Sequence, residues 1–281
     1  MQKKYTPDTL PYHLVVPSLL GYAYSSGPPA TKDWDMKGTS RVMHSMLMEL
    51  GFEGGFVTQG GDIGAGVSLV LATGYDTCKA CHLNYVPVLG GKDTPMDGVS
   101  QVEMAGLARA QTWLQSGSAY AQEHATRPGT IGLVLSSSPL ALLAWIGEKY
   151  LEWTDEDPST EEVLRTVTLY WLTDTFPRAI YPYRAFFGSK ARANKLPNDL
   201  ETYCKKPMGY SYFPMDLMPT PIVWAKIRGN LVWSRRHDKV RSTHQISESM
   251  ANIGKGRSFC GYGEAHRVCT RHRRFCAASL A

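Results

Sequence analysis

Apolar positions recur along the chain in two rhythms. The run His13-Leu14-Val15-Val16-Pro17 is short, apolar and followed by a loop rich in Gly, Ser, Pro and Tyr at 21–29, and it predicts a first strand. From about Ser40 the residues Val42, Met43, Met46, Leu47 and Leu50 return every three or four positions, one face of a helix that stops at Gly51. Gly55-Phe56-Val57-Thr58-Gln59 reads as a short buried strand, Gly60-Gly61-Asp62-Ile63-Gly64 as a tight turn, Val67 to Thr73 as the start of a helix, and Ala80 to Val88 as another strand. This alternation implies a parallel α/β sheet with right-handed crossovers. From about Val99 to Thr173 the rhythm becomes helical, with helices expected at Glu103–Gln115, Ala119–His124, Leu140–Trp153 and Glu161–Leu172. Strand character returns at Gly209-Tyr210-Ser211-Tyr212-Phe213 and Asn230-Leu231-Val232-Trp233, so the sheet brackets a helical insertion placed to act as a lid. No internal repeat is present.

Composition narrows the class. The chain has 281 residues, 43% of them apolar and 20% charged, enough for a sizeable buried core and far from the make-up of a disordered chain. No apolar run of about 18 residues is present to cross a bilayer, and no apolar segment follows the basic start of the chain as a secretory signal requires. Six cysteines in this setting read as reduced thiols. The net charge of +5 resides entirely in residues 240–281, which carry Arg241, Lys255, Arg257, Arg267, Arg271, Arg273 and Arg274 against Glu248 and Glu264. A basic tail can bind nucleic acid, but this one has neither interleaved aromatics nor a helical phase, so no nucleic-acid partner is expected.

Chemistry concentrates at the turn after the second predicted strand. Small residues two before and two after Asp62 let the backbone bend sharply, presenting the middle side chain at the carboxyl end of the sheet. Nucleophile elbows have this pattern, usually around Ser. A carboxylate there can attack an electrophilic carbon to form an ester, favoured by the N-terminus of the following helix. Taken alone, the pentapeptide reads more readily as a glycine turn whose Asp caps a helix. It has the wrong glycine order for a dinucleotide loop. Cys78-Lys79-Ala80-Cys81-His82 matches a haem-attachment pattern but runs into a buried strand, and the tail offers no convincing metal ligands, so neither cofactor nor metal is expected.

Longer segments add a resemblance. Tyr12 to Leu19 with Gly21 to Pro28 resembles the strand and loop before the elbow of epoxide hydrolases, and Gln59-Gly60-Gly61-Asp62-Ile63-Gly64 is similar to their nucleophile motif. Arg127-Pro128-Gly129-Thr130-Ile131-Gly132, Ser138-Pro139, Leu142 to Ile146, Glu148-Lys149 and Thr168 to Thr173 are similar to the lid of the microsomal type, the soluble fungal branch above all. The resemblance implies an α/β-hydrolase fold with an incomplete parallel sheet: core at 1–95 and 206–239, helical lid at 96–205. It implies that Asp62 opens an oxirane to a hydroxyalkyl ester while Tyr120 and Tyr183 hydrogen-bond and protonate the oxygen, with Tyr181 a rival for Tyr183. It implies that Asp216 orients a general-base histidine and that the Ile63 N–H contributes to an oxyanion hole. The partners implied are a small apolar epoxide and water. The protein would be cytoplasmic, without a membrane span, acting alone or as a homodimer in detoxification or aromatic hydrocarbon catabolism. The same elbow serves hydrolytic dehalogenases, although paired lid tyrosines argue against that reaction. A non-catalytic remnant binding apolar ligands is the remaining alternative.

Three departures qualify the resemblance. The family's H-G-x-P turn and first strands are not in this chain, and its Gly-Gly-His-Phe-Ala-Ala motif is not found after Lys239: His237 occupies a non-catalytic place and His244 lacks the glycine context. The codons of Gly256 to His266 can be chosen so that, read one base later, they spell Gly-Gly-His-Phe-Ala-Ala-Met-Glu-Lys-Pro. Val240 must begin GT, and Lys255 with the first base of Gly256 can end AG. Residues 240–281 are therefore expected to be a retained intron followed by out-of-frame translation; its excision would put the histidine where Ser242 stands. With the base unplaced, turnover is expected to stop at the ester.

Overall fold

The computed structural model describes residues 6, 8–29, 31, 34–88, 90, 94–154, 156–187 and 203–237. Residues 240–281, with the proposed intron, Ser242 and His244, lie outside them. In chain order the elements are α1 (Met36–Glu49), β1 (Phe56–Gly60), α2 (Ile63–Gly74), β2 (Cys78–Leu83), α3 (Gln101–Thr112), a π-helical turn (Trp113–Gly117), α4 (Ala119–Thr126), α5 (Pro128–Ser136), α6 (Pro139–Trp153), α7 (Thr160–Thr173), α8 (Phe176–Ala179), α9 (Tyr183–Phe187), β3 (Cys204–Tyr212), α10 (Ile222–Ala225) and β4 (Gly229–Arg236).

The four strands form one sheet in the order β1-β2-β3-β4, parallel at every pairing. Gln59 pairs with His82, His82 with Gly209, and Gly209 with Trp233, so the carboxyl ends of the strands come level. The hydrophobic core of the sheet contains Met43 of α1, Val67 and Leu71 of α2, Leu83, Met208, Tyr210 and Trp224. Near-continuous burial along β2 and the second half of β3 fits strands covered on both faces. Cys78, Cys81 and Cys204 are buried free thiols in this core, and the Cys78–His82 segment is strand β2.

Helices α3 to α9 all lie between β2 and β3. They carry a second core of Leu135, Leu142, Ile146, Val167, Phe176 and Ile180. Local signals set their boundaries. Ser100 and Glu103 form a capping box at α3, Ser138 and Ser159 cap α6 and α7, and Pro128 and Pro139 occupy first helical positions. One face of α3 braces the sheet. Glu103 accepts from the Ile222 N–H at 2.9 Å and from Arg236 at 3.2 Å, while Gly106 lies against Pro219 and the Tyr212 hydroxyl.

A buried polar bridge crosses the sheet. The Ser211 hydroxyl on β3 lies 3.1 Å from Nε2 of His82 on β2 and 3.1 Å from Nε2 of His237, just after β4. Residues 13–17 correct a sequence expectation: they form no strand, and Leu14 and Val16 are 63% and 81% exposed. Their apolar pattern suits a sheet, but a strand exists only where a neighbour supplies its hydrogen bonds, and β1 pairs on one side alone among the described residues.

Candidate active site

Asp62 stands at the junction of β1 and α2. It holds a left-handed φ of 47°, a conformation that costs a non-glycine residue free energy unless the surroundings enforce it. They do so through close packing. A Cβ at Gly60 would overlap the Gly64 carbonyl, and one at Gly61 would lie 2.6 Å from Asn84 Oδ1. The Asp62 carboxylate is reachable by a water-sized molecule yet has protein on most sides, and burial raises its pKa against a lowering hydrogen bond from the Ile63 N–H.

Tyr120 on α4 and Tyr183 on α9 meet edge to face with ring centroids 6.0 Å apart, and their hydroxyls share a hydrogen bond. Burial and the Asp62 charge push Tyr120 up to about 12 and raise Tyr183 further, so both phenols stay protonated across the physiological range. Both line a cavity of about 350 Å³ formed by the helical insert together with Tyr22. Tyr181 is 37% exposed and is not among the cavity's lining residues. Asp216 follows β3, and its carboxylate accepts from the Leu217 N–H at 2.7 Å. Burial first, then the Asp62 charge, lifts it to about 6. The Arg109 guanidinium of α3 donates to the Asp216 carbonyl and lies 2.9 Å from Met215 Sδ, tying this loop to the insert.

The structure therefore brings Tyr120, Tyr183 and Asp216 each within electrostatic reach of Asp62, with the Ile63 N–H on the carboxylate. One histidine, His124 of α4, meets the phenols, its ring edge to face with Tyr120 at 5.5 Å and with Tyr183 at 4.7 Å. His237 turns its Nε2 to Ser211 and stacks on Phe213 at 4.6 Å.

Several residues at the site escaped the sequence reading. Tyr22 and Tyr85 feel the Asp62 charge, which adds to burial in raising their pKa values. His124, Trp145, Lys149 and Trp153 line the cavity. The spacing carried the signal: Tyr120 and His124 are one helical turn apart, and so are Trp145, Lys149 and Trp153. The Trp145 indole N–H donates to His124 Nε2 at 3.1 Å. Burial and the Lys149 charge hold that imidazole down at about 4, hence neutral.

A sharp strand-to-helix bend presenting a nucleophilic side chain over a parallel sheet, beneath a helical insert, defines an α/β-hydrolase fold. No protein-family model matches the chain. A putative epoxide hydrolase of Dothistroma septosporum is 44% identical over 244 residues, covering 85% of this chain and 55% of that protein. One from Stigmatella aurantiaca is 37% identical over 222 residues, 76% of this chain and 48% of its own length. The epoxide hydrolase structure of Aspergillus niger superimposes with a TM-score of 0.82 at 44% identity, covering 90% of this chain and 65% of that one. The chain spans about half the length of the curated relatives it matches. It belongs to the epoxide hydrolase family.

Proposed function

We propose that this chain opens small apolar epoxides through an ester on Asp62, the first half of an epoxide hydrolase cycle that ends in a vicinal diol. The observation that carries the reading is that the charge of the Asp62 carboxylate, held at a strained bend, reaches two phenols that are hydrogen-bonded to each other and line one cavity. An Asp62 oxygen attacks a ring carbon. The C–O bond breaks with its electrons on oxygen, and the phenols Tyr120 and Tyr183 hold that oxygen and supply its proton. Water then attacks the ester carbonyl, whose oxyanion would take the Ile63 N–H. Asp216 is suited to orient the base for that water. Core segments 1–95 and 206–239 would carry the carboxylates and the lid 96–205 the phenols. The scheme uses no cofactor or metal.

The base is the missing part. No histidine of the sequence stands in the Gly-Gly-His-Phe context, so we infer that the ester accumulates and diol release is slow or absent. Intact mass spectrometry and peptide mapping after exposure to an epoxide test both halves. A stable adduct on Asp62 is expected. Sustained diol formation would overturn the impairment, and neither adduct nor diol would leave a ligand-binding remnant. Release of halide from an alkyl halide of similar size would favour dehalogenation. No single described helix is long and apolar enough to cross a membrane. We infer a cytoplasmic protein, and a homodimer is the expectation for sedimentation.

A further inference from the structure

We propose that Lys149 is a positioning residue for proton donation by Tyr120, its ammonium seated over the phenol ring to fix the ring and to stabilise the phenolate formed when the proton leaves. This rests on the reading of Asp62 and Tyr120 above and adds to it a residue with no contact to the reacting atoms.

The geometry is specific. Lys149 Nζ lies 4.7 Å from the Tyr120 ring centroid, 5.4 Å from that of Trp145 and 5.6 Å from that of Trp153. One turn of α6 separates Lys149 from each tryptophan, so the ammonium is held between two indoles with the phenol as a third wall. The Glu148 carboxylate anchors it at the edge, its side chain 52% exposed where that of Lys149 is 16% exposed. A lysine needed only for a surface ion pair would extend into water, where its charge is well hydrated. This one lines the cavity, and its charge reaches His124.

The groups facing Tyr120 are Asp62 at the elbow, Tyr183 on α9, Tyr85 before the insert, Trp113 at the π-helical turn, His124 on its own helix, and Lys149 and Trp153 on α6. Before reaction, the Asp62 anion opposes ionisation of Tyr120. As the ester bond forms, the Asp62 charge passes to the former epoxide oxygen, which takes the Tyr120 proton and leaves the phenolate negative. The Tyr183 hydroxyl is within hydrogen-bond reach of that phenol oxygen, and the Lys149 ammonium faces the ring. A cation attracts an anionic ring more strongly than a neutral one. The interaction therefore grows along the reaction coordinate and speeds the step rather than only tightening binding. Water later returns the proton to Tyr120.

The test uses the full chain with Lys149→Met, which keeps the aliphatic packing, and Lys149→Arg, which keeps the charge. Ester formation on Asp62 is timed by intact mass with 1,2-epoxypropane and with its 3,3,3-trifluoro counterpart, whose alkoxide is less basic and needs less proton donation. With epoxypropane the methionine variant is expected to be about tenfold slower, the arginine variant within about threefold of wild type, and the loss with the trifluoro compound below about threefold. Equal losses with both oxiranes, or none, would overturn the proposal. A second readout needs no turnover. In protein carrying 13Cζ-labelled tyrosine, the resonance absent from Tyr120→Phe is expected to titrate at higher pH in Lys149→Met than in wild type, and an unchanged titration would overturn the proposal as well. If wild type forms no ester with either oxirane, the Asp62 reading fails, and the Tyr120 resonance alone decides the role of Lys149.

Discussion

At the scale of the single residue, Asp62 combines two unfavourable terms, a left-handed backbone and a desolvated charge. A carboxyl whose pKa is raised by folding stabilises the protein when protonated, and that contribution is lost as pH rises through the folded value. Asp62→Asn removes the charge and keeps the shape. It is expected to raise Tm at pH 7, with the gain shrinking toward acid pH, while adduct formation disappears; a lower Tm at pH 7 would contradict the desolvation argument. The pH profile of adduct formation in wild type should be one-sided. It falls as Asp62 protonates, above the usual carboxylate range, and holds on the alkaline side because burial keeps Tyr120 protonated up to about 12. A steep loss between pH 8 and about 10 would mean that another group donates the proton.

At the scale of the element, α3 deserves the name of a brace. Glu103 serves its own capping box, the α10 backbone and Arg236 of β4, so one carboxylate ties the start of the insert to the far edge of the sheet. Glu103→Ala is expected to cost about 2–4 kcal/mol, since it strands charged and buried donors together. The shift in urea midpoint measures it, and a cost below about 0.5 kcal/mol would reduce the brace to a surface contact. Elements were the most legible level of the sequence. Apolar periodicity placed β1, β2, β3 and β4 and most helices to within a few residues, because burial repeats along the chain. The segment 13–17 misled because its apolar pattern records affinity for a sheet, whereas strand hydrogen bonds come from residues far away in sequence. Helix α5 went unread because its apolar residues Ile131, Leu133, Val134 and Leu135 run nearly all the way round, without a polar face to set a period. At the site, the elbow was legible because backbone sterics demand small residues beside Asp62. The Lys149 box was not, because it forms only when α4 and α6 pack.

At the scale of the whole molecule, the sheet core and the insert core are separate clusters. Within the sheet, burial holds His82 down at about 4, with His237 adding to the effect. A histidine depressed by folding contributes stability in full above its unfolded value, near 6.5, and loses it as pH falls toward the folded value. Asp216, raised to about 6, works in the opposite direction, so the whole-protein profile is a balance. The His82 share is isolated by comparison with His82→Gln, which can still bond Ser211. The stability difference between the two is expected to change as pH drops from about 6.5 to about 4 and then to level off; a difference independent of pH would remove His82 from the acid response. The bridge of β2, β3 and the chain after β4 also has an arithmetic of its own. The Ser211 hydroxyl owns a single hydrogen, so if it gives that hydrogen to one imidazole it must receive from the other. With two lone pairs the hydroxyl can accept from both rings, but it can give its hydrogen to at most one, so at least one of the two imidazoles carries a proton on Nε2, and nitrogen NMR of the folded chain should find it.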